Sequence, residues 1–183
     1  MQHLIVPLDP DHVQAVAAIA AEVAEATSAD LGPPVCPHVT VVAFTGVEPD
    51  VARRAIEWAL AGAEPFEMRA HGYGVFAQSG DVGPSLNVPV VRSGPLDTLH
   101  RVVHRALVEV GAEVAGWTLP DTWSPHITLT DRALDTDGVG AAISSLAGRR
   151  HPSWHIPVDR LLLVGGWSDP IDERDAIHLP PLR

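Results

Sequence analysis

Two stretches, Pro37-His38-Val39-Thr40-Val41-Val42 and Pro125-His126-Ile127-Thr128-Leu129-Thr130, decide how the rest of the chain is read. Both have the composition of a strand, with β-branched and apolar residues around the polar ones. In a strand, residues i and i+2 share a face, so each histidine projects beside its threonine while Val39 or Ile127 turns toward the core. With 10 His in 183 residues, random placement against the threonines gives about 0.5 His-x-Thr triplets. One triplet is weak evidence of a site. Two, each preceded by proline and each set among alternating apolar residues, ask for a common cause.

Working outward from each stretch, the same order of elements recurs. Residues 2–8 read as extended, and Val13, Val16, Ile19 and Val23 follow at helical spacing, opened by Asp9, Pro10 and Asp11. After the strand predicted at residues 38–45, Glu48, Pro49 and Asp50 start a helix that Gly62 can end, and residues 66–76 read as one further strand. The second half repeats this with an extended run at 86–91 and a helix through Leu96, Leu99, Val103, Leu107 and Val110, stopped by Gly111. A strand at 126–130, a short helix through Val139, Ala142, Ile143 and Leu146 closed by Gly148, and a strand at 156–164 complete it. Corresponding elements lie about 82 to 89 positions apart, the mark of an internal duplication. The expected fold is therefore α+β: two pseudo-twofold-related lobes, approximately 1–80 and 81–183 of a single domain. Each lobe is expected to carry a mostly antiparallel sheet flanked by helices, and the two enclose a central cleft.

The formal net charge is -11, with 12 arginines, no lysine and 23 acidic residues. A long nucleic acid would be repelled, because non-specific binding needs clustered cations that release counterions. Small or terminal phosphates remain possible partners. Gln14, Glu22 and Glu25 interrupt the apolar run at 13–26, so it is not a bilayer span, and nothing at the N-terminus has the form of a secretory signal. A cytoplasmic monomer with no membrane partner is expected. The single cysteine, Cys36, excludes an internal disulfide and reads as a small buried hydrophobe.

With its two His-x-Thr motifs, their separation, and the segment Gly72-Tyr73-Gly74-Val75-Phe76 followed by Leu86 between them, the chain resembles the 2H phosphoesterase superfamily. The similarity is greatest to its branch of 2'-5' RNA ligases and cyclic phosphodiesterases, and it extends over nearly the whole sequence. The resemblance implies His38, Thr40, His126 and Thr128 as the catalytic set and a mechanism with no metal or other cofactor. The chemistry suits the residue types. An imidazole titrates near neutrality, so of two flanking a phosphorus atom, one can deprotonate water and the other protonate the leaving oxygen. The threonine hydroxyls would hold the non-bridging oxygens. Opening of a 2',3'-cyclic phosphate, on an RNA end or a small nucleotide, is the expected reaction. Its reverse, 2'-5' ligation, needs two nucleic-acid ends brought together, which an acidic, lysine-free surface does not favour.

Other residues carry weaker signals. His100 and His104 stand at i and i+4, a spacing that can share a metal, but no third ligand accompanies them and a wet helix face is the expectation. Tyr73 and Trp167 are candidates for stacking on a nucleobase, while Trp117, Trp123 and Trp154 are expected to pack. Arg69 and Arg132 could meet a phosphate, and Asp121 or Asp131 could orient a histidine, though surface and turn positions suit all four. The rival to an enzyme is a module of the same fold that binds a phosphoester or nucleotide without cleaving it. Retention of two titratable groups as well as two hydroxyls speaks against such a module.

Overall fold

The computed structural model describes residues 1–76, 83–130, 133–149, 151–165 and 176–180. The first half runs β1 (Gln2–Pro7), α1 (Pro10–Thr27), β2 (His38–Thr45), α2 (Pro49–Leu60), β3 (Phe66–His71) and β4 (Gly74–Phe76). The second runs β5 (Ser85–Pro89), α3 (Gly94–Glu109), β6 (Glu113–Val114), β7 (His126–Thr128), α4 (Thr136–Ala147), β8 (Ser153–Val158) and β9 (Arg160–Val164), with β10 (Ile177–His178) closing an edge.

The helices start where their caps direct. The Asp9 carboxylate accepts from the His12 N–H at 3.0 Å with Pro10 in the first turn, and Asp135 does the same for Gly138 at 2.6 Å. Their apolar faces, with Val16 and Val23 of α1, Ile56 of α2, Leu96 and Val103 of α3, and Leu146 of α4, enter one cluster with Val39 and Ile127. The helices therefore cover the sheet face to which Val39 and Ile127 point. Helix α1 packs on α4, and α2 on α3. No helix among the described residues is long and apolar enough to cross a membrane.

The main sheet is antiparallel, in the order β10-β9-β1-β2-β7-β5-β4, with β6 on the far end of β2. Read inward from its two ends, β9-β1-β2 matches β4-β5-β7; the matched halves meet at the β2–β7 pairing, and each takes its outer strand from the other repeat. Strands β3 and β8 form a separate two-stranded sheet. The α+β class with antiparallel sheets is as the sequence predicts.

Two predicted strands are each two. The run at 66–76 breaks at Gly72, whose φ of +75° is costly for any residue with a Cβ. The break lets β3 leave for β8 while β4 joins β5. The run at 156–164 breaks at Asp159, freeing β9 to pair with β1. Apolar residues resume directly after both breaks, so local composition does not say that the two segments of each run join different strands.

Candidate active site

Strands β2 and β7 pair at Val39 and Ile127, both fully buried. In antiparallel register, that places His38 beside Thr128 and Thr40 beside His126, with all four side chains on the face opposite the helices. The two histidines occupy one diagonal of a square and the two threonines the other. Residues related diagonally across two strands stand roughly 7–8 Å apart, a span that a phosphate group can bridge. All four are half-buried.

The square extends into two rows. One runs Asn87–Thr128–His38–Pro7 across β5, β7, β2 and β1; the other runs Ile5–Thr40–His126–Pro89 across β1, β2, β7 and β5. Reversing the strand order turns one row into the other, threonine for threonine, histidine for histidine and proline for proline. The exception is Asn87, which stands where the other row has Ile5.

Both imidazoles are oriented alike. His38 Nδ1–H donates to the Cys36 carbonyl at 2.6 Å and His126 Nδ1–H to the Ser124 carbonyl at 2.8 Å. A carbonyl only accepts, so Nδ1 carries the proton and Nε2 carries the lone pair in each neutral ring. The motif prolines contribute here. A residue before proline is confined to extended backbone, which sets the direction of the Cys36 and Ser124 carbonyls. The proline carbonyls repeat the symmetry, Pro37 accepting from the Leu8 N–H at 3.2 Å and Pro125 from the Val90 N–H at 3.0 Å.

Burial lowers the proton affinity of both histidines below the usual imidazole value; for each, the bond to its carbonyl opposes this in part, and the nearby His126 lowers His38 further. The Phe76 ring stands edge-on to His126 with centroids 4.5 Å apart. Cys36 lies half-buried beside the small apolar cluster of Ile5, Leu162 and Val164, and burial pushes its thiol up, which disfavours the thiolate.

Behind Thr40 stands a buried block that sequence spacing does not reveal. The Trp123 indole N–H donates to the Thr40 carbonyl at 2.9 Å, and His100 stacks on the indole at 4.0 Å. His100 is fully buried rather than on a wet helix face, and its Nε2–H donates to the Thr118 carbonyl at 3.0 Å. Burial lowers its pKa to about 4. The i,i+4 rule sees His104 but not these partners, 18 and 23 positions away in the sequence. Among the described residues no group of three or more His, Cys, Asp or Glu is arranged to hold a metal.

Tyr73 packs on the main core, and its ring meets His151 edge-on rather than either motif. Trp117 is exposed, Trp154 sits edge-on to His12, and Arg69 faces solvent on β3. Asp131, Arg132 and Trp167 lie outside the described residues. Asp121 lines a surface groove of about 450 Å³ with Arg92 and Arg101, whose guanidinium groups are both held by Asp97. Neither that groove nor the smaller one beside Glu57 and His178 includes a motif residue.

Asn87 has no counterpart among the sequence candidates. Its side chain is buried, and its Nδ2 has no hydrogen-bond acceptor among the described residues. A buried donor left in this state costs about 1–3 kcal/mol.

Comparison with known proteins bears on the family and the fold. The family model of the 2'-5' RNA ligase superfamily matches residues 6–166. No protein with a curated description matches the chain. Among solved structures, the Thermus thermophilus protein TT0787 is similar with a TM-score of 0.64 at 19% identity, over 96% of this chain and 91% of that one. A protein described as a phosphoesterase is similar with a TM-score of 0.51 at 17% identity, over 88% of this chain and 85% of that one. At these identities the two structures speak for the fold, while the family model spans both motifs and most of the sequence: the chain belongs to the 2'-5' RNA ligase superfamily of 2H phosphoesterases.

Proposed function

We propose that this phosphoesterase opens 2',3'-cyclic phosphates, with His38 and His126 as its general acid and base and Thr40 and Thr128 holding the phosphate. The observation that carries the proposal is the Val39–Ile127 pairing, which sets the two histidines on one diagonal of a square and the two hydroxyls on the other. A cyclic phosphate centred on the square has one imidazole Nε2 on either side. In-line displacement needs that arrangement, because the attacking water and the departing ribose oxygen lie on opposite sides of phosphorus.

The neutral histidine accepts a proton from water through Nε2 as the new P–O bond forms. The protonated one delivers its Nε2 proton to the leaving ribose oxygen as that P–O bond breaks. Water is added overall, and the product is a phosphomonoester. The threonine hydroxyls donate to the non-bridging oxygens, where negative charge grows in the transition state. Two imidazoles supply both proton transfers, so these steps ask nothing of a metal. Ligation is the same path reversed, with a ribose hydroxyl in place of water.

The chain is one bilobal unit written twice, approximately 1–80 and 81–183, and the matched strand order from either edge supports this. Its net charge of -11 favours a small or terminal phosphoester, an RNA end among them, over a long polymer. We place it in the cytoplasm as a monomer.

The test is incubation of the purified protein, with chelator present, with 2',3'-cyclic nucleotides and with a short RNA ending in a cyclic phosphate, products being identified by phosphorus NMR. Ring opening that drops by roughly 10²- to 10⁴-fold in both His38→Ala and His126→Ala is expected. Tight binding of these ligands with no turnover would replace the hydrolase by a phosphoester-binding module.

A further inference from the structure

The two threonines of the square have different neighbours. Thr40 stands across from Ile5, which packs with Leu162 and Val164. Thr128 stands across from Asn87. Beyond Asn87 the next position in the row is Gly74 of β4, where the other row has Leu162 of β9. The glycine leaves room for the amide, because a Cβ at position 74 would lie 2.7 Å from Asn87 Oδ1 and 3.0 Å from Pro89 Cγ and one of them would have to shift.

This placement fixes which way the amide points. Strand β5 lies between β4 and β7, and the amide oxygen lies over β4. The amide nitrogen shares Cγ with that oxygen and so is directed away from it, and the strand on the side away from β4 is β7, with Thr128 paired to Asn87. It is buried and has no acceptor among the described residues. Because the nitrogen is shielded from solvent, it acts on a ligand at the open face through a neighbouring group, and the hydroxyl on the paired residue is that of Thr128.

We infer that Asn87 is a positioning residue that acts through Thr128: when a phosphoester binds, Asn87 Nδ2–H donates to Thr128 Oγ1, and the Thr128 hydroxyl donates its own proton to a non-bridging phosphate oxygen. The inference rests on the proposed function of the same site. A hydroxyl that accepts a hydrogen bond becomes a stronger donor, so the relay strengthens the contact with the phosphate. Ile5 offers Thr40 nothing of the kind. The two halves of the site are thereby made unequal, with the phosphate held harder on the side of Thr128.

The test is a double-mutant cycle on the full chain, reading kcat/KM for a 2',3'-cyclic nucleotide together with the Kd of inorganic phosphate by phosphorus NMR. Asn87→Leu is expected to lower kcat/KM about tenfold. It should do the same in a Thr40→Val background and nothing further in a Thr128→Val background. The melting temperature of Asn87→Leu should stay level or rise, since the substitution removes a buried donor that has no acceptor; a merely structural asparagine would lower stability and activity together. An equal tenfold loss in the Thr128→Val background, or no loss in any background, overturns the inference. If the wild type turns over no cyclic nucleotide, the hydrolase proposal fails on its own. The same non-additivity in phosphate affinity then supports the role of Asn87, and additivity refutes it.

Discussion

The row through His38 and the row through His126 are nearly the same object seen from opposite ends, and their differences are more informative than their likeness. They share the Pro-His-x-Thr unit, the Nδ1 bond to the carbonyl two residues earlier, and the proline on the flanking strand. In the proposed mechanism, those are the parts that fix two imidazoles and two hydroxyls around one phosphorus. They differ in what stands behind the threonines and in how the chain enters each motif. Before the second motif, Trp123 is 4% exposed and anchored on Thr40; before the first, Val35 is 91% exposed. On the proposed reading, symmetry supplies the reaction geometry, and asymmetry gives the two sides of one phosphate separate tasks.

The largest effects test the shared part. Alanine at His38 and alanine at His126 should each reduce turnover by roughly 10²- to 10⁴-fold, and a large difference between them would break the equivalence of the rows. Next come the hydroxyls. Thr128→Val should reduce kcat/KM on the order of 10²-fold and Thr40→Val by clearly less, since only Thr128 has an amide behind it; equal losses would erase the distinction.

The buttress behind Thr40 is tested through stability. His100 and the buried His3 both have folded-state pKa values lowered to about 4, chiefly by burial, against an ordinary 6.5. A histidine kept neutral in the fold adds stability above the ordinary value. That contribution is lost as pH falls from 6.5 toward 4, on the order of 3 kcal/mol for each group. His100→Phe keeps the stack on Trp123 and removes one titration, so urea unfolding of this variant should lose correspondingly less stability between pH 7 and 4.5. An unchanged pH dependence would mean that His100 titrates normally.

The smallest effect on activity is expected at the outer positions. Gly74→Ala pushes the Asn87 amide from its seat and should lower kcat/KM by roughly 3- to 10-fold. Its counterpart Leu162→Ala opens a cavity in an apolar cluster and should cost about 2–5 kcal/mol of stability, with kcat/KM changed less than in Gly74→Ala. The reverse pattern would mean that the two row ends have exchanged roles.

Much of this was legible in the sequence, and the remainder was hidden for physical reasons. Period-two alternation around His38 and His126, helix starts at Asp9 and Pro49, and the repeat offset depend on local pattern, and they predicted the α+β order of elements. The breaks at Gly72 and Asp159 are decided by which distant strand each segment joins, and local pattern does not name that strand. Asn87 sits between Leu86 and Val88 in a strand that reads as extended. Only the register against Thr128 and against its counterpart Ile5 makes it conspicuous. His100 could be paired by spacing with His104, but its burial comes from Thr118 and Trp123, which only tertiary packing brings near.

The most direct test of the central claim, that the two histidines divide the acid and base roles, is the pH dependence of kcat/KM for a 2',3'-cyclic nucleotide in the wild type, His38→Ala and His126→Ala. The wild type should give a bell with its maximum on the acid side of 6.5, because burial lowers both imidazoles and the reactive form carries one proton between them. Each variant should lose one limb of the bell, and the two should lose opposite limbs, which also identifies the acid and the base. A bell that survives intact in both variants, or the same limb lost from each, would contradict the assignment.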